Sequence, residues 1–189
     1  MSDPKDQKPG QFDDAGRRTD LESFEPGDDF TYAWDDSNRQ TRVTNPKDLP
    51  ATLVYDDAGR VIKRLYANGA LSSITYDAAG NEKVILNLGS GGALVSCLTY
   101  TYDKTNHRLN QYESDGTVTA WTYDDTYQLR NEHRAGGPVG TSFNITHTWD
   151  PAGNGLVKEK DGVVATFTYS NANRIKLANE AGALTTYLY

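Results

Sequence analysis

The sequence predicts an all-β fold in which tandem antiparallel β-hairpins form a long curved or spiralling sheet. An aromatic residue followed by a short turn recurs every 20–26 residues along most of the chain. Aromatic residues make up 11% of the chain and 12 of them are Tyr, a composition that suits half-buried strands. Seventeen Gly residues supply many turn positions. Together these features predict repeated strand–turn–strand units.

The turn motif is clearest in two hexapeptides that differ only in their first residue, "FDDAGR" at 12–17 and "YDDAGR" at 55–60. The first residue of each copy, here called the marker aromatic, recurs at intervals of 22, 21, 21, 26, 21, 26, 20 and 20 residues. The marker aromatics are Phe12, Trp34, Tyr55, Tyr76, Tyr102, Tyr123, Trp149, Tyr169 and Tyr189. The two long intervals carry extra residues at 88–93 and 134–140, at the same place in the unit, which predicts one variable loop.

Each marker aromatic is predicted to end a strand and to be followed by a tight turn. Asp56 opens the turn of the unit at 55–76, because an Asp carboxylate accepts hydrogen bonds from backbone N–H groups two residues on. Gly59 supplies the positive φ that closes this turn. In three other copies the glycine is replaced by Asn, which tolerates left-handed geometry: Asn38, Asn106 and Asn173. Tyr127 replaces the glycine in the sixth copy, so that unit is expected to be the most distorted.

Two strands and a second, different turn complete the unit. An outgoing strand is predicted at 60–66 and a return strand at 70–76, joined by a two-residue hairpin turn at Asn68 and Gly69. About fifteen strands of this kind predict a long meander. The equivalent turns in other units are Asp115-Gly116 and Asp161-Gly162, with a longer version at 180–182.

The residues that define the repeat are the marker aromatics, the turn aspartates and the turn glycines, and they are assigned a structural role. The clearest of them are Tyr55, Asp56, Gly59, Gly69, Tyr76, Asp77, Gly80, Tyr102, Asp103, Gly116, Tyr123, Asp124, Trp149, Asp150, Gly153, Gly162 and Tyr169.

The return strands alternate regularly between two faces. In "TVTAWTY" (117–123), Trp121 and Tyr123 share one face and Thr122 lies on the other. A threonine precedes most marker aromatics, so neighbouring strands predict an aromatic ladder on one face and a threonine ladder on the other. Cross-strand pairs of these kinds contribute roughly 0.2–1 kcal/mol each. The alternation leaves open which face is buried.

The repeat resembles the YD repeat of the Rhs family. The family signature, Tyr-Asp-x-x-Gly-Arg/Asn with a second glycine about ten residues on, stands at 55–69 and recurs with variation across 12–189. The family includes bacterial polymorphic-toxin shells, cage-forming subunits of insecticidal toxin complexes and animal teneurins. The resemblance implies an extracellular or cell-surface β-sheet that spirals into a hollow shell, around a C-terminal toxic domain in the large members. It also implies that the repeats carry no catalytic activity.

Two features depart from the pattern of the toxin-bearing relatives. Those relatives end their repeats with an Asp-Pro-x-Gly core, an internal cleavage site and an effector domain. Here "WDPAGN" (149–154) carries Asp-Pro-x-Gly, but Trp149 is in repeat register and two further units follow it. Pro151 is therefore interpreted as a turn residue. Closed shells of the family also use far more strands than this chain supplies.

The chain is expected to divide into a short tail and one array. Residues 1–10 are predicted to be a disordered N-terminal tail, and 11–189 a YD-repeat array of about eight units of 20–26 residues. The stretch "TTYLY" (185–189) is uncharged and β-prone and lacks an atypical capping unit. Exposed strand edges invite pairing with other chains. The sequence therefore predicts self-association through edge strands or truncation from a longer parent.

Composition and charge argue against several classes of function. The net charge of −7 repels phosphate groups, which argues against binding to nucleic acids or anionic membranes. No stretch approaches the roughly 20 apolar residues that a membrane-spanning helix needs. The N-terminal "MSDPKDQKPGQ" lacks the apolar segment of a signal peptide. Cys97 is the only cysteine, so no internal disulfide can form, and its apolar surroundings indicate a buried small residue.

The sequence contains no recognisable catalytic or metal-binding constellation, and no cofactor is predicted. Paired acids such as Asp56-Asp57 and Asp124-Asp125 lie at turn openings and lack the spacing of a calcium loop. The histidines lie in different units without metal-ligand spacing; they are His107, His133 and His147.

The preferred interpretation is a non-enzymatic structural YD-repeat scaffold, part of or analogous to a β-shell that encloses or presents a cargo polypeptide. Its partners would be other repeats of the same shell, the cargo, or another copy of the chain. The alternative is a small surface module that binds carbohydrate through exposed aromatic ladders. The residues proposed to stack on sugars are Trp34, Trp121, Tyr100 and Tyr187. A hydrolytic enzyme has only the scattered histidines and turn acids in its support.

Overall fold

The structure, a computed structural model, describes residues 10–21 and 29–188. Nine of the ten residues assigned to the disordered tail, and Tyr189, lie outside the described residues. Within them the chain is all-β, with sixteen antiparallel strands that follow one another in sequence order in the sheet and no helix. The predicted fold class is confirmed, with sixteen strands rather than about fifteen. The structure divides into two compact units, 1–97 and 98–189.

The first unit contains seven whole strands and the start of an eighth, which crosses the unit boundary. They are β1 (Asp20–Leu21), β2 (Phe30–Trp34), β3 (Gln40–Thr44), β4 (Pro50–Tyr55), β5 (Val61–Tyr66), β6 (Leu71–Tyr76), β7 (Glu82–Leu88) and β8 (Leu94–Tyr102). An isolated antiparallel bridge joins Phe12 and Arg18 ahead of β1.

The second unit contains the end of β8 and eight further strands. They are β9 (Arg108–Glu113), β10 (Val118–Tyr123), β11 (Leu129–Ala135), β12 (Phe143–Trp149), β13 (Gly155–Lys160), β14 (Val163–Tyr169), β15 (Ile175–Glu180) and β16 (Ala183–Thr186).

Every marker aromatic from Trp34 to Tyr169 is the last residue of its strand. The strand register shifts by one residue directly before the marker, for example between Val54 and Tyr55 and between Thr75 and Tyr76. This β-bulge places the extra residue on the outgoing strand: Tyr55 pairs with Val61 and Val54 with Lys63, so Ile62 has no cross-strand partner in the register. The five residues after a marker aromatic, such as 56–60, are called the YD turn below.

The two turns of a unit have the same backbone geometry, which corrects the expectation of two different turns. In the YD turn the Gly59 N–H donates to the Asp56 carbonyl at 3.0 Å. In the opposite turn the Gly69 N–H donates to the Tyr66 carbonyl at 2.9 Å, and Gly69 has a φ of 82° whereas Asn68 does not have a positive φ. The predicted two-residue turn is therefore a three-residue loop, in which a type I turn places the left-handed conformation on glycine alone.

Two later turns do use a two-residue loop. Asp161 and Gly162 both have positive φ, at 50° and 84°, and Lys160 pairs directly with Val163. Ala181 and Gly182 form the same turn, with φ of 51° and 90°. The segment at 180–182 is therefore not the longer version that the sequence predicted, because Glu180 is the last paired strand residue rather than part of the loop.

The two insertions are accommodated in different ways, so the prediction of one variable loop is only half right. At 89–93 the turn has the usual length, with the Gly92 N–H donating to the Gly89 carbonyl at 3.1 Å. The extra residues of that unit instead lengthen β7 to seven residues and β8 to nine. The insertion at 134–140 does lengthen a loop, which runs from 136 to 142 between β11 and β12.

The distortion expected at Tyr127 is absent. Tyr127 has a φ of 65°, and its N–H donates to the Asp124 carbonyl at 3.0 Å, as the glycine does in other YD turns. The backbone hydrogen bonds therefore hold a bulky residue in the left-handed region, at a cost on the order of 1–3 kcal/mol.

Few side chains are buried in this fold. Among the described residues the buried hydrophobic side chains are Ile74, Tyr100 and Ala178. A large hydrophobic core is therefore not what holds the sheet together.

The aromatic face is the more covered of the two faces of the sheet. In β6, Ser72 and Ile74 are buried on the face that carries Tyr76, whereas Thr75 is exposed on the other face. Most of the threonines that precede a marker aromatic are likewise exposed: Thr75, Thr122, Thr148 and Thr168. In residues 10–21 and 29–188 the structure contains no helix that could span a membrane.

The long loop at 136–142 packs against the turn at 113–117. Thr117 is fully buried there, and its Oγ1 has no hydrogen-bond partner among the described residues. A Cβ added at Gly136 would meet the Gly116 carbonyl oxygen, and one added at Gly137 would overlap Thr117 Oγ1. These glycines let the loop lie directly on the neighbouring turn.

We expect Gly137→Ala to destabilise the protein more than Gly140→Ala. Both glycines have positive φ, at 67° and 84°, but a Cβ at Gly140 would meet nothing within 4 Å. Gly140→Ala therefore reports the backbone strain alone, about 1 kcal/mol, and Gly137→Ala adds a steric overlap of about 1–3 kcal/mol. Urea unfolding of both variants measures the difference; equal losses would show that the loop does not pack on Thr117.

Candidate functional site

The turn aspartate organises each YD turn through its carboxylate. Asp56 Oδ1 accepts the Arg60 backbone N–H at 2.9 Å, and its Oδ2 accepts Arg60 Nε–H at 2.8 Å. In equivalent positions Oδ1 accepts N–H groups two and four residues on. These carboxylates are those of Asp13, Asp35, Asp77, Asp103, Asp124 and Asp150. The carboxylate thus satisfies backbone donors that the sheet leaves unpaired.

These hydrogen bonds favour the charged form of the turn carboxylates. The backbone N–H of Arg60 is the main reason why the pKa of Asp56 lies below its usual range, and the Arg60 side chain adds to it. At Asp103 desolvation raises the pKa, but hydrogen bonds from His107 and Thr105 outweigh it and lower the pKa to about 2. Stabilising the carboxylate in this way couples the fold to pH.

Arginine side chains link successive YD turns in the first unit. Arg39 Nε donates to Asp35 Oδ2 at 2.7 Å within its own turn, and its Nη1 donates to the Asp56 carbonyl of the next turn at 3.2 Å. Its guanidinium carbon lies 4.7 Å from the centroid of the Tyr55 ring. Arg60 likewise pairs with Asp56 and places its guanidinium carbon 4.4 Å from the centroid of the Tyr76 ring, but among the described residues it makes no hydrogen bond to the next turn. Each guanidinium is therefore held between a carboxylate and an aromatic face.

Six of the marker aromatics also link the two strands of a hairpin through their polar atoms. Each of the six donates a hydrogen bond to a backbone carbonyl at or before the start of the preceding strand. Tyr76 Oη, for example, donates to the Val61 carbonyl at 2.9 Å, and Trp149 Nε1 donates to the Leu129 carbonyl at 2.7 Å. The same bond is made by Trp34, Tyr55, Tyr123 and Tyr169. These rings therefore join the outgoing and return strands of a unit.

The four residues proposed to stack on sugars differ in their exposure and in their contacts. Trp34 lies in the first unit and donates its Nε1–H to the Arg18 carbonyl at 2.8 Å. Tyr100 is 7% exposed and has the Arg108 guanidinium 4.0 Å from its ring centroid. Because its ring is buried, Tyr100 is not accessible for stacking on a sugar. Tyr187 is 43% exposed, and Trp121 is half-buried at a groove.

This groove, here called the Trp121 groove, lies in the second unit where β10 meets its YD turn. It is open to solvent and has a volume of about 480 Å³. Its walls are Asp103, Leu109, Trp121, Thr122, Tyr123, Asp124, Asp125 and Tyr127. Three aromatic rings and three carboxylates thus surround one opening, a combination that suits a cationic or polyhydroxylated group.

The histidines do not form a metal site with the acids. No group of three or more His, Cys, Asp or Glu residues in 10–21 and 29–188 is arranged to hold a metal ion. His107 stacks between Tyr123 and Tyr127, with both ring centroids 4.9 Å away. His147 stacks on Trp149, and burial, with Lys158 adding to it, lowers the pKa of His147. These two rings pack within the sheet.

The hydrogen bonds of the marker aromatics across each hairpin were not anticipated from the sequence. The Tyr and Trp donors are separated from their acceptors by 14 to 20 residues in the sequence. Because every residue has a backbone carbonyl, the sequence does not indicate which one accepts the bond. The sequence did contain one indication of the arginine contacts. The last residue of each of the first three YD turns is an arginine, at a position where its guanidinium can pair with the turn carboxylate: Arg17, Arg39 and Arg60.

The fold and its turns define a protein of tandem β-hairpin repeats. No protein-family model matches the chain. In sequence, the chain is 26% identical over 156 residues to the toxin subunit YenC1 of Yersinia entomophaga, which covers 78% of this chain and 15% of that protein. The chain therefore spans only a small part of the length of this relative.

Solved structures share the fold over most of the chain. A TcdB2–TccC3–Cdc42 complex matches with a TM-score of 0.63 and 14% identity, over 89% of this chain and 9% of that one. A Tc holotoxin pore of Photorhabdus luminescens matches with a TM-score of 0.63 and 14% identity, over 87% of this chain and 8% of that one. These structures show that the fold is shared, and the sequence similarity to the toxin subunit YenC1 agrees with the predicted resemblance.

We expect the melting temperature to fall as the pH drops from about 4 toward 2. The folded-state pKa values of the turn aspartates lie below the unfolded value of about 3.9, so their stabilisation is complete above that value. It is lost as pH falls through the folded pKa, which is about 2 for Asp103.

Thermal unfolding of wild type and Asp103→Asn across pH 7 to 2 measures this effect. Asn keeps an Oδ1 acceptor, as Asn45 does for the N–H groups of Lys47 and Leu49. Wild type should be more stable than the variant above pH 4, and the difference should narrow toward pH 2. A difference that does not change with pH would show that the carboxylate charge is not involved.

Proposed function

We propose that this chain is a segment of a non-enzymatic structural YD-repeat scaffold that encloses or presents a polypeptide. The observation that carries the proposal is the small amount of burial in the sheet. Among the described residues, the buried hydrophobic side chains are three, Ile74, Tyr100 and Ala178. A sheet that buries so little of itself is suited to making contacts with other protein surfaces.

The internal links of the sheet fit a structural role. The turn carboxylates, the guanidinium groups and most of the marker aromatics are engaged with backbone atoms or with each other. Such groups serve to join hairpins in series, as expected of a repeat array in which each unit contacts its neighbours. The similarity to toxin subunits supports the same coarse assignment to a structural component.

The edge of the second unit offers a surface for a partner. β16 pairs with β15 on one side, and all four of its residues are exposed. Its backbone N–H and C=O groups on the other side can pair with a strand of another copy or of further repeats. Leu184, which is 65% exposed, adds apolar surface to that edge.

The carbohydrate-binding alternative has less support. Trp34 and several marker aromatics donate to backbone carbonyls, and Tyr100 is buried. A continuous row of exposed rings is therefore not supported by the contacts of these residues. The alternative depends on the Trp121 groove, where Trp121, Tyr123 and Tyr127 line one opening.

We expect the chain to associate with itself through β16 as its concentration rises. Sedimentation velocity at several concentrations should show larger species for wild type and a shift toward monomer for Leu184→Lys, because a charge on an edge strand opposes strand pairing. The matched control is Val139→Lys, which adds the same charge at a fully exposed loop position and should behave as wild type. A wild-type chain that stays monomeric at every concentration would contradict the proposal.

A further inference from the structure

The Trp121 groove combines aromatic rings with carboxylates whose charge is not fully paired. Trp121 and Tyr123 come from the end of β10, Leu109 from β9, and Tyr127 from the YD turn. Tyr127 is 59% exposed and is held in the left-handed region, where other YD turns place Gly or Asn. The groove therefore exposes a ring that the turn itself does not require.

Asp124 differs from the other turn aspartates in one respect. Its Oδ1 accepts hydrogen bonds from Thr126 and Gln128, but among the described residues its Oδ2 has no hydrogen-bond or ion-pair partner. In the other YD turns that begin with Asp, the Oδ2 is held by the side chain four residues on. Those side chains are Arg17, Arg39, Arg60, Asn81, His107 and Asn154.

The other charges around the groove leave it acidic. Asp125 is exposed and, in the described part of the chain, makes no hydrogen bond or ion pair. Arg130 lies near enough for its charge to help lower the pKa of Asp124, after the hydrogen bonds from Thr126 and Gln128, but it forms no ion pair with Asp124 there. Asp103 is bonded to Thr105 and His107. A cation entering the groove would therefore meet at least two carboxylates without a cationic partner.

The chain itself shows which cation these groups hold elsewhere. Arg39 and Arg60 each place a guanidinium between the Oδ2 of a turn aspartate and the ring of a marker aromatic. At Asp124 the corresponding position is occupied by Gln128, and a groove with aromatic walls is present beside it. The Asp124 Oδ2 is thus left without the side chain that holds it in other turns, and the aromatic rings of the groove lie beside it; two of these rings, Tyr123 and Tyr127, also stack on His107.

We propose that the Trp121 groove binds the guanidinium group of an arginine side chain from a polypeptide partner. A planar guanidinium stacks on aromatic rings and donates to carboxylate oxygens, so both kinds of wall contribute. A lysine ammonium is a compact, strongly hydrated charge and gains less from stacking. The proposal names a contact that the scaffold would make, and it rests on the proposed function only for the identity of the partner.

The test is a titration of the whole chain, labelled with ¹⁵N, with the peptide acetyl-Gly-Arg-Gly-amide. We expect saturable shifts of the Trp121 indole N–H and of the amides of 123–127, weakened at high salt because the contact is partly electrostatic. The matched ligand is the same peptide with citrulline, which keeps the shape of arginine without its charge and should bind at least 10-fold more weakly. Equal binding of the two peptides would overturn the proposal, and so would shifts from maltotriose with none from the arginine peptide.

Two variants locate the contact. Asp124→Asn keeps the Oδ1 acceptor that Asn45 provides in its own turn but removes the charge, and Gln128→Arg supplies an internal guanidinium. Each should weaken arginine binding at least 5-fold. The control is Asp77→Asn, at a turn whose Oδ2 already holds Asn81, and it should bind as wild type does. Wild-type binding by both Asp124→Asn and Gln128→Arg would overturn the proposal.

The outcome is separable from that of the scaffold proposal. Arginine binding is measured on the single chain at low concentration, whereas the scaffold proposal is tested by association through β16. Loss of association with intact arginine binding would count against the scaffold alone. Intact association without arginine binding would count against the Trp121 groove alone.

Discussion

The hydrogen bond from a Tyr or Trp marker aromatic to a carbonyl of the preceding strand, made by six of the markers, is the interaction on which the rest of this structure depends. A sheet with three buried hydrophobic side chains among its described residues cannot rely on a core for its stability. Strand ladders hold neighbouring strands, and the aromatic donors add a second link across each hairpin, as Tyr76 does to Val61. Such bonds contribute about 0.5–1.5 kcal/mol each, and their repetition along the array makes them important.

The YD turn supports this hydrogen bond, because it places the marker aromatic at a fixed position at the end of its strand. The Asp56 carboxylate accepts a backbone N–H of the turn, and the strand register shifts by one residue directly before the marker. Where the sequence departs from the motif, the backbone geometry of the turn is retained, but different side-chain groups are exposed to solvent. Tyr127 keeps the turn but exposes a ring, and Gln128 keeps the turn but leaves a carboxylate oxygen without a side-chain partner. Local exceptions in the repeat are therefore where recognition of a partner can arise.

Much of the fold could be predicted because the determinants are local. The positions of Tyr55, Asp56 and Gly59 specify a strand end, a turn opening and a left-handed residue, and the alternation around Trp121 separates the two faces. What could not be predicted depends on register or on distant atoms. The same Gly69 fits a two-residue or a three-residue loop, and an insertion at 88–93 can lengthen either a loop or its flanking strands. The Trp121 groove was missed for the same reason, since it joins residues from two strands and two turns.

The most direct test of this account compares the urea unfolding of Tyr76→Phe with that of Tyr66→Phe. Tyr76 donates its hydroxyl to the Val61 carbonyl at 2.9 Å; Tyr66 is 46% exposed, and its hydroxyl has no partner in the described part of the chain. Both variants remove one oxygen from a tyrosine of the same repeat. We predict a loss of about 0.5–1.5 kcal/mol for Tyr76→Phe and a change within about 0.5 kcal/mol for Tyr66→Phe. Equal stabilities would contradict the claim that the marker aromatics hold the hairpins together.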